Sequence, residues 1–174
     1  MVDPKRMCVE GGSHGGFLTG WLIGHPKYNH LWAAAGLWNA VLDMSYMVAA
    51  TDIPDWIFAC CQNKELDDFG SYSIEDTKDF FSKSPISQVA NVTTPSLFLV
   101  GDSDRRVPPH QSYFYLNCLK SKGVDCKLYD YPESGHSLGK TDEHFNDAYI
   151  NISLWMDKYV NEPYRKQKVE NNKE

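Results

Sequence analysis

The chain has 174 residues, of which 42% are hydrophobic and 23% charged. That is the size of one domain, or most of one, and the composition excludes a disordered chain. The formal charge of −6, from 17 basic and 23 acidic residues, argues against nucleic acid or an anionic membrane as a partner. No run of 18 apolar residues codes a membrane span, and no secretory leader is expected at the start. The cysteines, Cys8, Cys60, Cys61, Cys118 and Cys126, are odd in number and form no C-x-x-C pair. Reduced thiols in the cytosol are therefore expected, not a disulfide framework.

Arg6 to Glu10 is predicted as a short strand, followed by Gly11-Gly12-Ser13-His14-Gly15-Gly16 and an apolar helix from Phe17 to His25. Leu31 to Ala35 is predicted as a second buried strand, ended by Gly36. The middle of the chain, Trp38 to Pro85, has weak periodicity, and short helices are expected at Leu42–Ala50 and Ile74–Ser82. Ser96 to Val100 is apolar without interruption, as in a parallel strand covered on both faces. A helix opened by Pro108-Pro109 runs to about Lys122, with Gly123 as its C-terminal cap. Cys126 to Tyr131 is the next strand. Phe145, Ala148, Tyr149, Ile152, Trp155, Met156 and Tyr159 form one stripe on a final helix, capped by Thr141 or Asp142. Residues 161–174 read as a polar, disordered tail beyond a domain of residues 1–160. Alternating strands and helices define an α/β chain with a mainly parallel sheet and helices on both faces.

Gly11-Gly12-Ser13-His14-Gly15 matches G-x-S-x-G between a strand and a helix. In that pattern the serine sits on a strained turn, and the flanking glycines remove side chains that would collide. The N–H of His14, at the helix start, then points where an oxyanion would form. The competing reading is a glycine-rich turn without chemistry. A serine nucleophile needs a base, and the base an orienting acid. Asp102 and Asp104 follow one strand and His136 the next, so all candidates lie at the carboxyl ends of parallel strands. The residue pattern alone does not choose between Asp102 and Asp104. His14, His25, His30, His110 and His144 read as surface or capping histidines. No histidine pair has the spacing of a zinc site, so no metal or cofactor is expected.

The segment Gly11 to Phe17 resembles the nucleophile elbow of the prolyl oligopeptidase family of serine peptidases. Thr51-Asp52-Ile53-Pro54-Asp55-Trp56, Lys83-Ser84-Pro85-Ile86 and Asp104-Arg105-Arg106-Val107-Pro108 resemble its acylaminoacyl-peptidase branch. The resemblance runs over residues 6–160. It implies the C-terminal half of an α/β-hydrolase fold, with Ser13 as nucleophile, Asp104 as acid and His136 as base. It implies an arginine near the substrate carbonyl at Arg106. The implied reaction is release of an N-acyl-amino acid from a short N-acylated peptide through an acyl-enzyme. Trp38, Trp56 and Phe58 are candidates for an acyl or side-chain pocket, with core packing as the alternative. A dipeptidyl peptidase or carboxylesterase of the same fold, or an inactive binding fragment, are the competing functions. The resemblance also implies an N-terminal β-propeller and the first half of the hydrolase domain. It therefore implies a partner for the sheet edge, either that N-terminal part or a second copy, and a second oxyanion donor from outside this chain.

Overall fold

A computed structural model describes residues 3–4, 6–64 and 71–161. Its strands are β1 (Cys8–Gly12), β2 (Ala34–Trp38), β3 (Ser96–Gly101) and β4 (Cys126–Tyr131). They form one parallel sheet in the order β1-β2-β3-β4. The helices are α1 (His14–Gly24), α2 (Met44–Ala50), α3 (Pro54–Gln62), α4 (Ile74–Ser82), α5 (His110–Ser121) and α6 (Asp142–Val160).

β3 explains why a central parallel strand reads as unbroken apolar sequence. Leu97 and Leu99 enter a core with Ile152 and Trp155 of α6. Phe98 and Val100 enter the opposite core with Ile23 of α1 and Tyr115 and Leu119 of α5. Every residue of β3 is buried, because both faces are covered. A third cluster joins α2, α3 and α4 through Met47, Ile57, Phe58 and Phe80, and reaches Val107 in the loop after β3.

Several boundaries differ from those read in the sequence. β1 begins at Cys8 and not at Arg6, and α1 begins at His14, directly after the serine. The predicted strand Leu31–Ala35 is displaced: Asn29–Leu31 is a 3-10 turn, and β2 continues through Gly36 to Trp38. Gly36 does not stop the strand. It makes room for α6, since a Cβ there would lie 2.2 Å from Cδ1 of Ile152. α2 starts at Met44, where the Asp43 carboxylate caps the N–H of Tyr46 at 3.1 Å. α3 has no counterpart in the sequence reading. Pro54 occupies its first turn, where a missing N–H costs nothing.

α4 and β4 match the predicted ranges, and Ser73 and Asp76 close α4 with a reciprocal capping box. α5 opens at His110, just past the proline pair, and Gly123 beyond its end has φ 72. Thr141 caps α6 through the N–H of His144 at 3.2 Å. On α6 the predicted stripe divides: Ala148, Ile152, Trp155 and Tyr159 are buried, whereas Phe145 and Tyr149 are exposed. Of the predicted tail, residues 162–174 lie outside the described residues.

Candidate active site

β1 delivers Ser13 to the carboxyl end of the sheet, and α1 leaves from it. Ser13 has φ 55 and ψ −120, a conformation that L side chains rarely adopt. Its backbone holds that shape from both sides. The Ser13 N–H donates to the Trp38 carbonyl at 2.9 Å, and the Ser13 carbonyl accepts from Phe17 at 3.1 Å and Val41 at 3.2 Å. The glycines around it divide the work unequally. A Cβ on Gly11 would lie 2.3 Å from the Gly15 carbonyl oxygen, and one on Gly16 would lie 2.4 Å from Cβ of Ala40. A Cβ on Gly15 would meet nothing within 4 Å. Close approach of β1, β2 and α1 therefore requires Gly11 and Gly16, not Gly15. His14 is the first residue of α1, so its N–H has no carbonyl partner within the helix and remains a free donor of the first turn.

β3 ends at Gly101, and the loop beyond it carries Asp104, whose side chain is fully buried. Its Oδ1 accepts the N–H groups of Arg106 at 2.8 Å and Val107 at 3.0 Å. Its Oδ2 lies 2.8 Å from Nδ1 of His136, which stands in the loop after β4. One carboxylate oxygen is thus fixed by the backbone and the other faces the imidazole. His136 keeps about a third of its side chain exposed. Asp102 plays a different part: its Oδ1 accepts the N–H of Glu133 at 2.7 Å, bracing the same loop from outside.

The Thr51–Trp56 segment docks against the acid loop. The Thr51 hydroxyl donates to the Arg106 carbonyl at 2.7 Å, and the Asp52 N–H to the Arg105 carbonyl at 3.0 Å. Arg106 Nε reaches Oδ1 of Asp52 at 2.7 Å. α3 then carries Trp56 to a largely apolar cavity of about 420 Å³, shared with His14, Phe17, Trp21, Met44 and Cys60. The His14 ring stacks on Phe17 and meets Trp56 edge-on. The other two pocket candidates sit elsewhere. Trp38 donates to Glu10 at 2.9 Å and packs on Tyr149, while Phe58 is buried against Phe80.

Two of the remaining histidines have local hydrogen-bond partners. His25 Nδ1 accepts the Lys27 N–H at 3.1 Å, and His144 Nδ1 lies 2.9 Å from the Ser134 hydroxyl. Sequence reasoning passed over Asn39, a buried residue just past β2 that contacts the His136 loop. Nothing in its local pattern marks it.

A parallel sheet with helices on both faces, a strained serine between β1 and α1, and a carboxylate–imidazole pair past β3 and β4 define an α/β-hydrolase fold. The sequence model of the prolyl oligopeptidase family matches residues 1–163. The chain belongs to that family. It is 41% identical over 159 residues to the acylamino-acid-releasing enzyme of Arabidopsis thaliana, covering 91% of this chain and 20% of that one. Against the Homo sapiens acylamino-acid-releasing enzyme it is 35% identical over 157 residues, covering 88% of this chain and 20% of the relative. The chain thus spans about a fifth of the length of these curated relatives. Its fold superposes on the acylaminoacyl peptidase of Pyrococcus horikoshii with a TM-score of 0.76 at 22% identity, covering 91% of this chain and 25% of that chain. A puromycin-hydrolyzing peptidase of Mycobacterium tuberculosis gives 0.75 at 20% identity, covering 92% and 23%.

Proposed function

We propose that this chain carries the nucleophile, base and acid of a serine peptidase that releases N-acyl-amino acids from short N-acylated peptides. The observation that carries the reading is the Asp104–His136 pair at 2.8 Å, set at the same end of the sheet as the strained Ser13. The substrate class follows from the relatives named acylamino-acid-releasing enzymes.

Ser13 Oγ attacks the scissile carbonyl while Nε2 of His136 takes its proton. Asp104 holds the proton on Nδ1, which fixes the tautomer, and stabilises the imidazolium that forms. The His14 N–H donates to the oxyanion. His136 then protonates the leaving amine, and water releases the acyl group by the reverse sequence. The cavity lined by Trp56 and Phe17 opens at His14 and suits an apolar acyl-amino-acid side chain. Arg106, held by Asp52, serves the substrate carbonyl in this reading. The rest of the enzyme, or a second copy, covers the β1 edge and supplies a second oxyanion donor. The five free cysteines suit a cytoplasmic site of action.

A fluorophosphonate probe tests the mechanism, because it modifies an activated serine. Labelling of the intact chain, abolished by Ser13→Ala and by His136→Ala, is the expected result. No labelling of the folded chain would leave a non-catalytic binding role. A panel of acetyl-amino-acid amides, dipeptide amides and short acyl esters, offered to the chain joined to the rest of the enzyme, tests the substrate. Turnover of the esters or dipeptides alone would replace the peptidase assignment with a carboxylesterase or dipeptidyl peptidase.

A further inference from the structure

Asn39 stands one residue past β2 and is 3% exposed. All of its amide hydrogen-bonding groups are used. Oδ1 accepts the Gly101 N–H at 2.8 Å, and Nδ2 donates to the carbonyls of His136 at 2.9 Å and Gly135 at 3.3 Å. Its backbone N–H donates to the Leu99 carbonyl at 2.9 Å. With φ 38 it lies in the left-handed region, which asparagine tolerates better than most residues. One side chain thus joins the ends of β2 and β3 to the loop after β4.

The residue before it supplies the other half of the geometry. The Trp38 carbonyl accepts the Ser13 N–H at 2.9 Å. The turn bearing the hydroxyl and the loop bearing the imidazole therefore hang from consecutive residues, Trp38 and Asn39. Gly101 lets the His136 loop come close, since a Cβ there would sit 2.4 Å from the Ser134 carbonyl oxygen and 2.6 Å from that of Gly135. The network requires an amide. The Gly101 N–H needs an acceptor, and the two carbonyls need donors. An aspartate of the same shape would set a carboxylate against both carbonyls, and an alanine would take this partner from the Gly101 N–H and the His136 carbonyl, while the Gly135 carbonyl would keep the Leu138 N–H at 3.1 Å.

We propose that Asn39 is a positioning residue for His136: it holds the backbone of the base at a fixed offset from the Ser13 elbow. The proposal deepens the serine-hydrolase reading above and rests on it. It acts through geometry alone, since Asn39 bonds to the main chain of His136 and not to its ring. A misplacement of about 1 Å costs roughly 10²-fold in rate.

The test compares wild type, Asn39→Ala and Asn39→Asp in the intact 174-residue chain. Two readouts are taken below the unfolding range: the fluorophosphonate labelling rate per folded molecule, and the downfield proton resonance of His136 Nδ1–H. The expected result is labelling slowed about 10–100-fold in both variants. The His136 resonance should shift or broaden while the circular dichroism spectrum is kept. Should the alanine variant fail to fold, the isosteric aspartate variant carries the comparison. A wild-type resonance and labelling rate in a folded variant would overturn the positioning role. An unlabelled wild type whose resonance still responds to the substitutions would instead overturn the hydrolase reading and leave the structural tie in place.

Discussion

Arg106 and Asp52, 54 residues apart, form a two-pronged ion pair, with Nε 2.7 Å from Oδ1 and Nη2 3.3 Å from Oδ2. The pair binds the loop that carries Asp104 to the segment that starts α3. The guanidinium hydrogen bond holds the Asp52 carboxyl below the usual carboxylate range, and the carboxylate raises Arg106 in return. A depressed folded pKa means that any stabilisation is complete above the unfolded value of about 3.9 and is lost as pH falls through the folded one. Both side chains are exposed, so the pair contributes little to global stability at neutral pH. Carboxyl carbon NMR should therefore give an Asp52 midpoint below that of an ordinary aspartate, rising in Arg106→Gln while the thermal midpoint at pH 7 hardly moves. An Asp52 midpoint unchanged by Arg106→Gln would contradict the pairing.

The two flanking glycines of the serine motif should respond oppositely to alanine. At Gly11 the new Cβ would be driven to 2.3 Å from the Gly15 carbonyl oxygen, which is backbone and has no rotamer to yield. Overpacking of this kind costs about 1–3 kcal/mol or more, and here it would also displace the turn. Gly15 lies in α1 with open space at its Cβ position. Alanine there should be neutral or gain up to about 1 kcal/mol of helix propensity. Urea unfolding of Gly11→Ala and Gly15→Ala checks the contrast.

How far the sequence reveals this fold depends on whether the signal is local. β4, α4 and β3 are legible because apolar runs, caps and prolines all agree within a few residues. The serine turn is legible for the same reason. β2 is misplaced because Gly36 resembles a strand breaker, and only the approach of α6 shows why a glycine belongs inside the strand. α3 is hidden because its first turn, Pro54-Asp55-Trp56, reads as loop chemistry when its packing against α2 is not seen. The pairing of His136 with Asp104 rather than Asp102 rests on loop paths that spacing does not encode; a family resemblance pointed to it. Asn39 is illegible for the most general reason: every partner of its side chain is at least 62 residues away.

The strain at Ser13 makes a stability prediction separate from activity. A non-glycine residue in a disfavoured backbone region costs about 1–3 kcal/mol, and glycine removes the Cβ that causes it. Glycine also loosens the unfolded chain, which offsets part of the gain. Ser13→Gly should therefore unfold later in urea than wild type by about 1 kcal/mol, with probe labelling lost. Ser13→Ala keeps the Cβ and should lose labelling without that gain. Equal stability of the glycine and alanine variants would show that the turn is unstrained.

The contact between Gly36 and Ile152 offers the most direct test of how the sheet carries α6. Gly36 is in mid-strand, paired to Glu10 on one side and Leu97 on the other, so its backbone cannot retreat without breaking two ladders. Ile152 is 5% exposed and packs among Leu97, Leu99 and Trp155, so its Cδ1 has little room to swing away. Gly36→Ala should cost about 1–3 kcal/mol, as overpacking does in a filled core. The worst clash is with the Cδ1 methyl group at 2.2 Å, and Cγ1 of Ile152, at 2.8 Å, is also closer than a Cβ tolerates. Ile152→Val alone should cost about 0.5–1.5 kcal/mol, because it leaves a methyl-sized gap. When the two substitutions are combined, the methyl group introduced by Gly36→Ala would enter the space that Cδ1 vacates. The double variant should then be more stable than the sum of the single losses predicts, by about 0.5–3 kcal/mol of coupling. Simple additivity in a double-mutant cycle would mean that α6 shifts bodily over the sheet instead of holding its register.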